Sequence, residues 1–317
     1  MRSILAVLLG LLAVLPTGRS AAGAQNLETL HLIVFARDAP TAIARANGSL
    51  AAAGLDVDFT ITPNSTVQMQ SLGDGSHDLA YTSFDNVLAW SKRDGGPELI
   101  AVAQQDRTVD LWLYVRPEIK SWQDLRGKPL AVDAPDTAFA LVLRRMLLAH
   151  GLDLTRGDYS LVPVGARRVP SLVQGETFAG MLSTADAAQA NAAGLTNFGN
   201  EHEVLPDYGG QVIATRREWA SAHADQLVAF LRAWVQAGRF TQTNPEEAAA
   251  MFAQEADVDP QLAPRLLPAH FDDGALNPAG LQSILDLRNQ FGYALPGGPN
   301  LAGYLDGDYY AAAFSEL

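Results

Sequence analysis

The chain of 317 residues sets 22 Lys or Arg against 35 Asp or Glu, a formal net charge of −13. Such a surface repels phosphate backbones and anionic bilayers, which argues against a nucleic-acid binder or a lipid-adsorbed protein. Cysteine is absent, which excludes disulfides, thiolate metal sites and thiol nucleophiles, and a 48% apolar composition with 27 Gly and 17 Pro is globular and large enough for two lobes.

The N-terminus reads as a signal peptide over residues 1–24. Arg2 supplies a positive start, Ile4 to Leu15 are almost wholly apolar, and Pro16 and Gly18 end the run. Ala22 and Ala24 place small residues before a cleavage point after Ala24. The apolar stretch is too short for an ordinary membrane span, and no Cys follows it to carry a lipid. The expected product is a soluble periplasmic or secreted protein.

Strands and helices then alternate. Leu30–Phe35 (LHLIVF) is a buried strand, and Thr41 is expected to cap a helix over 42–53 that Gly54 stops. Asp56–Thr62 alternates and is rich in β-branched residues, as a strand requires. A short helix over 67–72, a strand at 79–81, a helix over 83–92 and a strand at 99–103 follow. This is the pattern of a largely parallel sheet covered by helices.

The alternation resumes with a strand at Leu111–Val115 (LWLYV), a turn at 121–127, a strand at 130–132 and a helix over 137–150. A strand at 159–164, a helix over 169–174, a strand at 180–182 and a helix over 184–193 complete a second lobe. Gln211–Thr215 is read as a strand returning to the first lobe. Beyond it the chain is mostly helical. Leu227, Phe230, Leu231, Trp234 and Val235 form one apolar stripe of a helix over 222–240. Further helices start at Pro245 and span 278–291, and four aromatic residues between Leu301 and Phe314 suggest a tail that docks.

Several of these pieces resemble the periplasmic binding proteins of the nitrate, sulfonate, taurine and thiamine-precursor importers. They are the opening LHLIVF, AAAGLDVDFTIT, SLGDGSHDLAYTSFDNVLAW, SWQDLRGKPLAV, FALVLRRMLLAHGL, LVQGETFAGML and the Asp- and Tyr-rich tail from Asn300 to Phe314. They occur in this order over nearly the whole chain after residue 24, and LRGKPLAV is the sharpest. The resemblance implies an α/β, bilobed type II periplasmic-binding-protein clamp with two mixed, mostly parallel sheets flanked by helices. It implies residues 25–112 as the first part of lobe 1, 113–207 as lobe 2, and 208–317 as the return to lobe 1 with the C-terminal helices. The crossovers are expected near Leu111–Val115 and Pro206–Gln211. The implied partners are a membrane permease and its ATPase; no cofactor or metal is expected, and a monomer is.

Ligands of open α/β sheets sit beyond the C-terminal ends of parallel strands, where helix N-termini offer free N–H groups. Four places qualify here. After the first strand stand Arg37, Ala39, Pro40 and Thr41. Arg37 is read as an anion partner or a solvent-facing charge, and Asp38 beside it as a cation partner or the same. Thr82, Ser83, Asp85 and Asn86 open the helix over 83–92, where Asp85 is either a ligand partner or a first-turn acid that favours the helix by itself. In the second lobe, Asp136 or Thr137 caps a helix, and the resemblance puts Thr137, Ala138 and Phe139 at ligand. Phe139 either stacks on ligand or packs inside the lobe, and the acids of this loop (Asp133, Asp136) make nitrate a poor fit. The fourth place holds Ser183, Thr184 and Asp186. Arg167 and Arg168 enter from the cleft edge, and Tyr208 with Gly209 and Gly210 lies at the return crossover. Tyr81, Trp90, Trp112 and Tyr114 are read as core or interlobe aromatics.

The expected ligand is a small organic solute, with a sulfonate or other organic acid favoured and a thiamine-like heterocycle second. A pyrimidine-forming enzyme on the same fold is the main rival, but the six histidines show no spacing that suggests a metal or a base. A sensor that reports ligand to a membrane receptor is the other alternative.

Overall fold

The computed structural model describes residues 27–105, 111–268, 271 and 273–315. The leader read over residues 1–24 lies outside them.

Alternating and continuous apolar runs become two five-stranded sheets. The first has the order β2-β1-β3-β10-β4, from β1 (Glu28–Val34), β2 (Leu55–Ile61), β3 (Leu79–Ser83), β4 (Leu99–Gln104) and β10 (Gln211–Arg216). The second has the order β7-β6-β8-β5-β9, from β5 (Leu111–Val115), β6 (Pro129–Val132), β7 (Ser160–Pro163), β8 (Ala179–Ser183) and β9 (Thr196–Asn200). Both sheets follow one plan. β1 is parallel to β2 and β3, and β6 is parallel to β7 and β8. The fourth strand in each order, β10 or β5, runs antiparallel to both neighbours. Each of these reversed strands is the first the chain contributes after arriving from the other lobe.

That register corrects one boundary. β5 pairs with β8 from Leu111↔Ser183 to Val115↔Ala179, so the whole strand belongs to the second lobe. Leu111 and Trp112 therefore pair within the second sheet, whereas the expected boundary puts them in lobe 1. Periodicity marks LWLYV as a strand but carries no information about which sheet it joins. After β9 the chain contributes β10 to the first sheet, between β3 and β4. Neither Gly209 nor Gly210 adopts a left-handed conformation there.

One helix read as continuous is broken. Gly48, at φ 78°, separates Ala39–Ala46 from Ser49–Ala52, a turn that a side chain would strain. The helix expected from residue 222 starts at Ala224 instead, and a separate helix, Arg217–Ala222, precedes the long helix Ala224–Thr243. The latter buries Leu227, Phe230, Leu231 and Trp234 with the face of Ala39–Ala46. Burying each such side chain stabilises the fold by roughly 1.5–3 kcal/mol.

The helix Pro278–Gln290 ties the lobes together. It packs against Phe84–Trp90 of the first lobe and Ala138–Ala149 of the second, and Leu281, Ile284, Leu285 and Leu287 join a core that extends into both. The tail docks on the first lobe. Leu305 bridges Ala101 of β4, and the helix Asp308–Phe314 lies on Ala224–Thr243.

Candidate functional site: the interlobe cleft

In both sheets the chain winds to opposite sides of one central pair, β1 and β3 in the first lobe and β6 and β8 in the second. Crevices form beyond the carboxyl ends of such pairs. A cavity of about 730 Å³ opens there, and its walls come from both lobes.

The loop after β1 forms one wall. Asp38, not Thr41, caps the helix Ala39–Ala46, because the helix begins three residues earlier than its apolar pattern suggests. Oδ2 of Asp38 accepts from the Thr41 amide at 3.0 Å, the Thr41 hydroxyl at 3.1 Å and the Trp234 indole N–H at 3.2 Å. Oδ1 is sealed from solvent and receives nothing. Burial pushes the Asp38 carboxyl up to about 6, against the pull of these donors. Thr41 sits behind the wall, 2.5 Å from the Tyr81 hydroxyl. Arg37 borders the cavity, but its guanidinium donates to the Glu255 carbonyl at 3.0 Å and covers Phe59.

The β3 end contributes Ser83, Asp85 and Asn86. Ser83 occupies the N-cap position of Phe84–Trp90 without a side-chain cap hydrogen bond. Asp85 is 2% exposed and accepts from Arg288 Nη1 at 2.8 Å. Burial raises its carboxyl to about 6, although Arg288 pulls the other way. Asn86 donates to Thr82, which is fully buried against Met69 and away from the cavity.

Across the cleft, Thr137 caps the helix Ala138–Ala149 and donates to Asp133 at 2.5 Å. Thr137, Ala138 and Phe139 all line the cavity. So does Ser183, which caps Thr184–Ala192. The basic side chain here is Arg168. Its guanidinium lies 4.8 Å over the Phe139 ring and donates to Asp186 at 3.3 Å and to the Gly165 carbonyl at 3.3 Å, while its Nε is sealed and unpartnered.

The remaining expected contacts lie off the wall. Arg167 faces solvent and pairs with Glu176, because one residue of phase in the turn before Arg168–Val173 separates outside from inside. Thr184 is exposed, and Asp186 is held by Ser183 and Arg168. The Asp136 side chain is exposed and only its carbonyl is engaged, by Arg288 at 3.2 Å. Tyr208 is core, 1% exposed. Conversely, Tyr81 is a wall residue rather than plain core, and Phe35, Trp234 and Phe271 add aromatic surface. The apolar stripe of Ala224–Thr243 reveals that Trp234 is buried but not that its edge reaches the ligand crevice.

Residues 37–248 match the family model described as NMT1/THI5 like. The chain belongs to the NMT1/THI5-like family. It is 25% identical over 227 residues to a protein of Brucella abortus (strain 2308) named "Putative binding protein", covering 69% of this chain and 68% of that one. Among solved structures it resembles the alkanesulfonate-binding protein of Xanthomonas axonopodis pv. citri bound to MOPS, with TM-score 0.70, 18% identity and coverage of 88% of this chain and 98% of that one. It also resembles the periplasmic nitrate-binding protein of Synechocystis (TM-score 0.72, 16% identity, 92% and 89% covered). A third is the zinc-bound ligand-binding component of an ABC-type import system from Staphylococcus aureus (TM-score 0.73, 15% identity, 90% and 99% covered). This NMT1/THI5-like chain therefore has the bilobed fold of periplasmic binding proteins. Among its described residues no helix is long and apolar enough to cross a membrane, and no three His, Asp or Glu cluster as a metal would need.

Proposed function

We propose that this protein is the extracytoplasmic solute-binding component of an ABC-type importer. It closes on a small organic solute and presents it to a membrane permease driven by an ATPase, and it acts as a binder rather than an enzyme. The observation that carries this reading is the cavity at the carboxyl ends of β1, β3, β6 and β8, with walls from both lobes. A ligand there contacts both halves, so binding favours the closed arrangement by its differential affinity. An acidic solute, a sulfonate or other organic acid, is supported by Arg168 and by the helix N-termini at Ala138 and Thr184. A planar heterocycle is the second reading, supported by the aromatic walls at Trp234, Phe139 and Phe271.

The test is thermal-shift binding on protein started at Gln25 and stripped of carried ligand by unfolding and refolding. The panel holds sulfonates, carboxylates, nitrate and amino-heterocycles. A saturable rise in Tm with one class, without turnover of the solute, is expected. Turnover would make it an enzyme. No shift in folded, empty protein would remove the small-solute reading.

A further inference from the structure

The chain links the lobes once more after its crossings. Residues 274–306 leave the first lobe and return to it at the same strand. At one foot, the Gln104 amide at the end of β4 donates to the Gly274 carbonyl at 2.9 Å, and the Gln104 side-chain oxygen accepts from the Asn277 amide at 2.7 Å. At the other, the Asp306 amide donates to the Ala101 carbonyl of β4 at 2.9 Å, and the Asp306 carboxylate pairs with Arg217 at 3.0 Å. Between the feet runs the helix Pro278–Gln290. Gly280 lets it lie on the return crossing, since a Cβ there would stand 2.4 Å from the Asp207 carbonyl. Gly292, at φ 74°, turns the chain after the helix and brings Tyr293 back over Arg288, whose carbonyl accepts the Tyr293 amide at 3.0 Å.

The tip of this arm grips the second lobe. The Tyr293 hydroxyl donates to the Pro135 carbonyl at 2.8 Å, and Arg288 Nη1 donates to the next carbonyl, that of Asp136, at 3.2 Å. From the helix Ala138–Ala149, Arg144 donates to the same hydroxyl at 3.3 Å and lays its guanidinium 4.0 Å from the centre of the Phe291 ring. Pro135 and Asp136 belong to the loop whose Asp133, Ala134 and Thr137 line the cavity, whereas Arg288, Phe291 and Tyr293 do not line it. Arg288 also holds Asp85, on the facing wall, at 2.8 Å. One nitrogen thus spans the lobes, between a first-lobe carboxylate and a second-lobe carbonyl. Arg288 is buried, so water cannot replace either partner if the lobes move apart around it.

We propose that residues 274–306 are a brace that fixes the separation of the lobes, and that Arg288 and Tyr293 are positioning residues that hold the loop Asp133–Thr137 opposite Asp85. Rotation of one lobe about the crossings carries that loop past a tip anchored on the other. The tip contacts therefore belong to one separation and are lost at others. They favour that separation by their own free energy. The brace acts in the empty protein and does not depend on which solute the cleft takes.

Because the chain has no cysteine, two introduced thiols can be labelled without background. Gln70→Cys in the first lobe and Ala188→Cys in the second place spin labels on exposed helical positions. Interlobe distances are read by double electron–electron resonance on the refolded, empty chain at pH 7.5, and amide exchange is read on the unlabelled chain. Tyr293→Phe keeps the ring and removes the hydroxyl. Asp85→Asn with Arg288→Met removes the other tip bond without leaving a bare buried charge. In both variants the distance distribution should widen, and with all three substitutions a second, separate population should appear. Exchange over residues 137–141 should quicken by roughly two- to tenfold in Tyr293→Phe, the range that one hydrogen bond spans. The Val164 amide, bonded to the Val132 carbonyl at 2.8 Å within the second lobe, should exchange as in the parent. The proposal is overturned if every variant keeps the parent's distance distribution. It is equally overturned if exchange at Val164 quickens as much as over 137–141, which would mean a general loosening of the lobe.

Discussion

The ion pair between Arg288 and Asp85 makes the sharpest energetic prediction. The two residues are 3% and 2% exposed and 2.8 Å apart, and the same Arg288 nitrogen reaches the Asp136 carbonyl of the other lobe. Replacing Arg288 with Ala leaves a buried carboxylate with no counter-charge, a change that typically costs about 3–5 kcal/mol. For a chain of this size each kcal/mol lowers Tm by roughly 1.5–2 °C, so the variant should melt about 5–10 °C lower at pH 7.5. The pH dependence has a definite sign. The folded Asp85 carboxyl, at about 6, lies above its ordinary value of 3.8, so the folded state holds the extra proton and this group's contribution falls as pH rises through that window. Removing Arg288 raises the folded carboxyl further and extends the window upward. The deficit against the parent should therefore be larger at pH 8 than at pH 5. The double variant Asp85→Asn, Arg288→Met should recover most of the loss, because no uncompensated charge remains. Thermal melts of the three proteins across pH decide it. A single-variant loss under about 1 kcal/mol, a deficit that grows toward acid, or a double variant as unstable as the single would refute the reasoning.

Other substitutions probe the walls. Gly238→Ala would ordinarily help a helix by up to about 1 kcal/mol, but its Cβ would lie 2.2 Å from the Phe271 ring; the variant should melt lower and, with that ring pushed aside, bind solute more weakly by calorimetry. Thr137→Ala removes a helix cap and the donor to Asp133, and should cost about 0.5–2 kcal/mol in denaturant titrations. Asp38 and Asp85 both have raised carboxyls at about 6, so their joint contribution to the empty protein's stability should decline from pH 4 to pH 7, and Asp38→Asn should flatten part of that slope in pH-resolved melts.

Much of this was legible in the sequence because it is local. LHLIVF, DVDFTIT and LWLYV carry strand periodicity on their face, and the places where they run into helices mark the crevice. The exceptions have specific causes. β9, spelled TNFGN, gives no strand signal because it lacks alternation and is weighted with two Asn and a Gly, and it holds its place at a sheet edge beside β5. That Arg168 borders the cavity while Arg167 pairs with Glu176 outside it turns on one residue of rotation in a short turn. Arg288 could not be paired with Asp85 from pattern alone, since 203 positions separate them. Asp38 was seen as a charge at a turn; its Trp234 contact, from a helix nearly two hundred residues later, is what makes it a buried group.

The placement of β10 bears on the order in which the molecule can assemble. The second sheet is drawn from one unbroken stretch, β5 to β9, whereas the first needs a strand inserted between β3 and β4 that is synthesised only after that stretch is finished. Until residues 211–216 are available, β3 and β4 face a gap one strand wide. The second lobe has the shorter loops to close and can nucleate alone; the first waits for a distant segment, which raises its contact order and slows it. A nascent chain shorter than about two-thirds of its length thus holds every strand of one sheet and lacks one inner strand of the other.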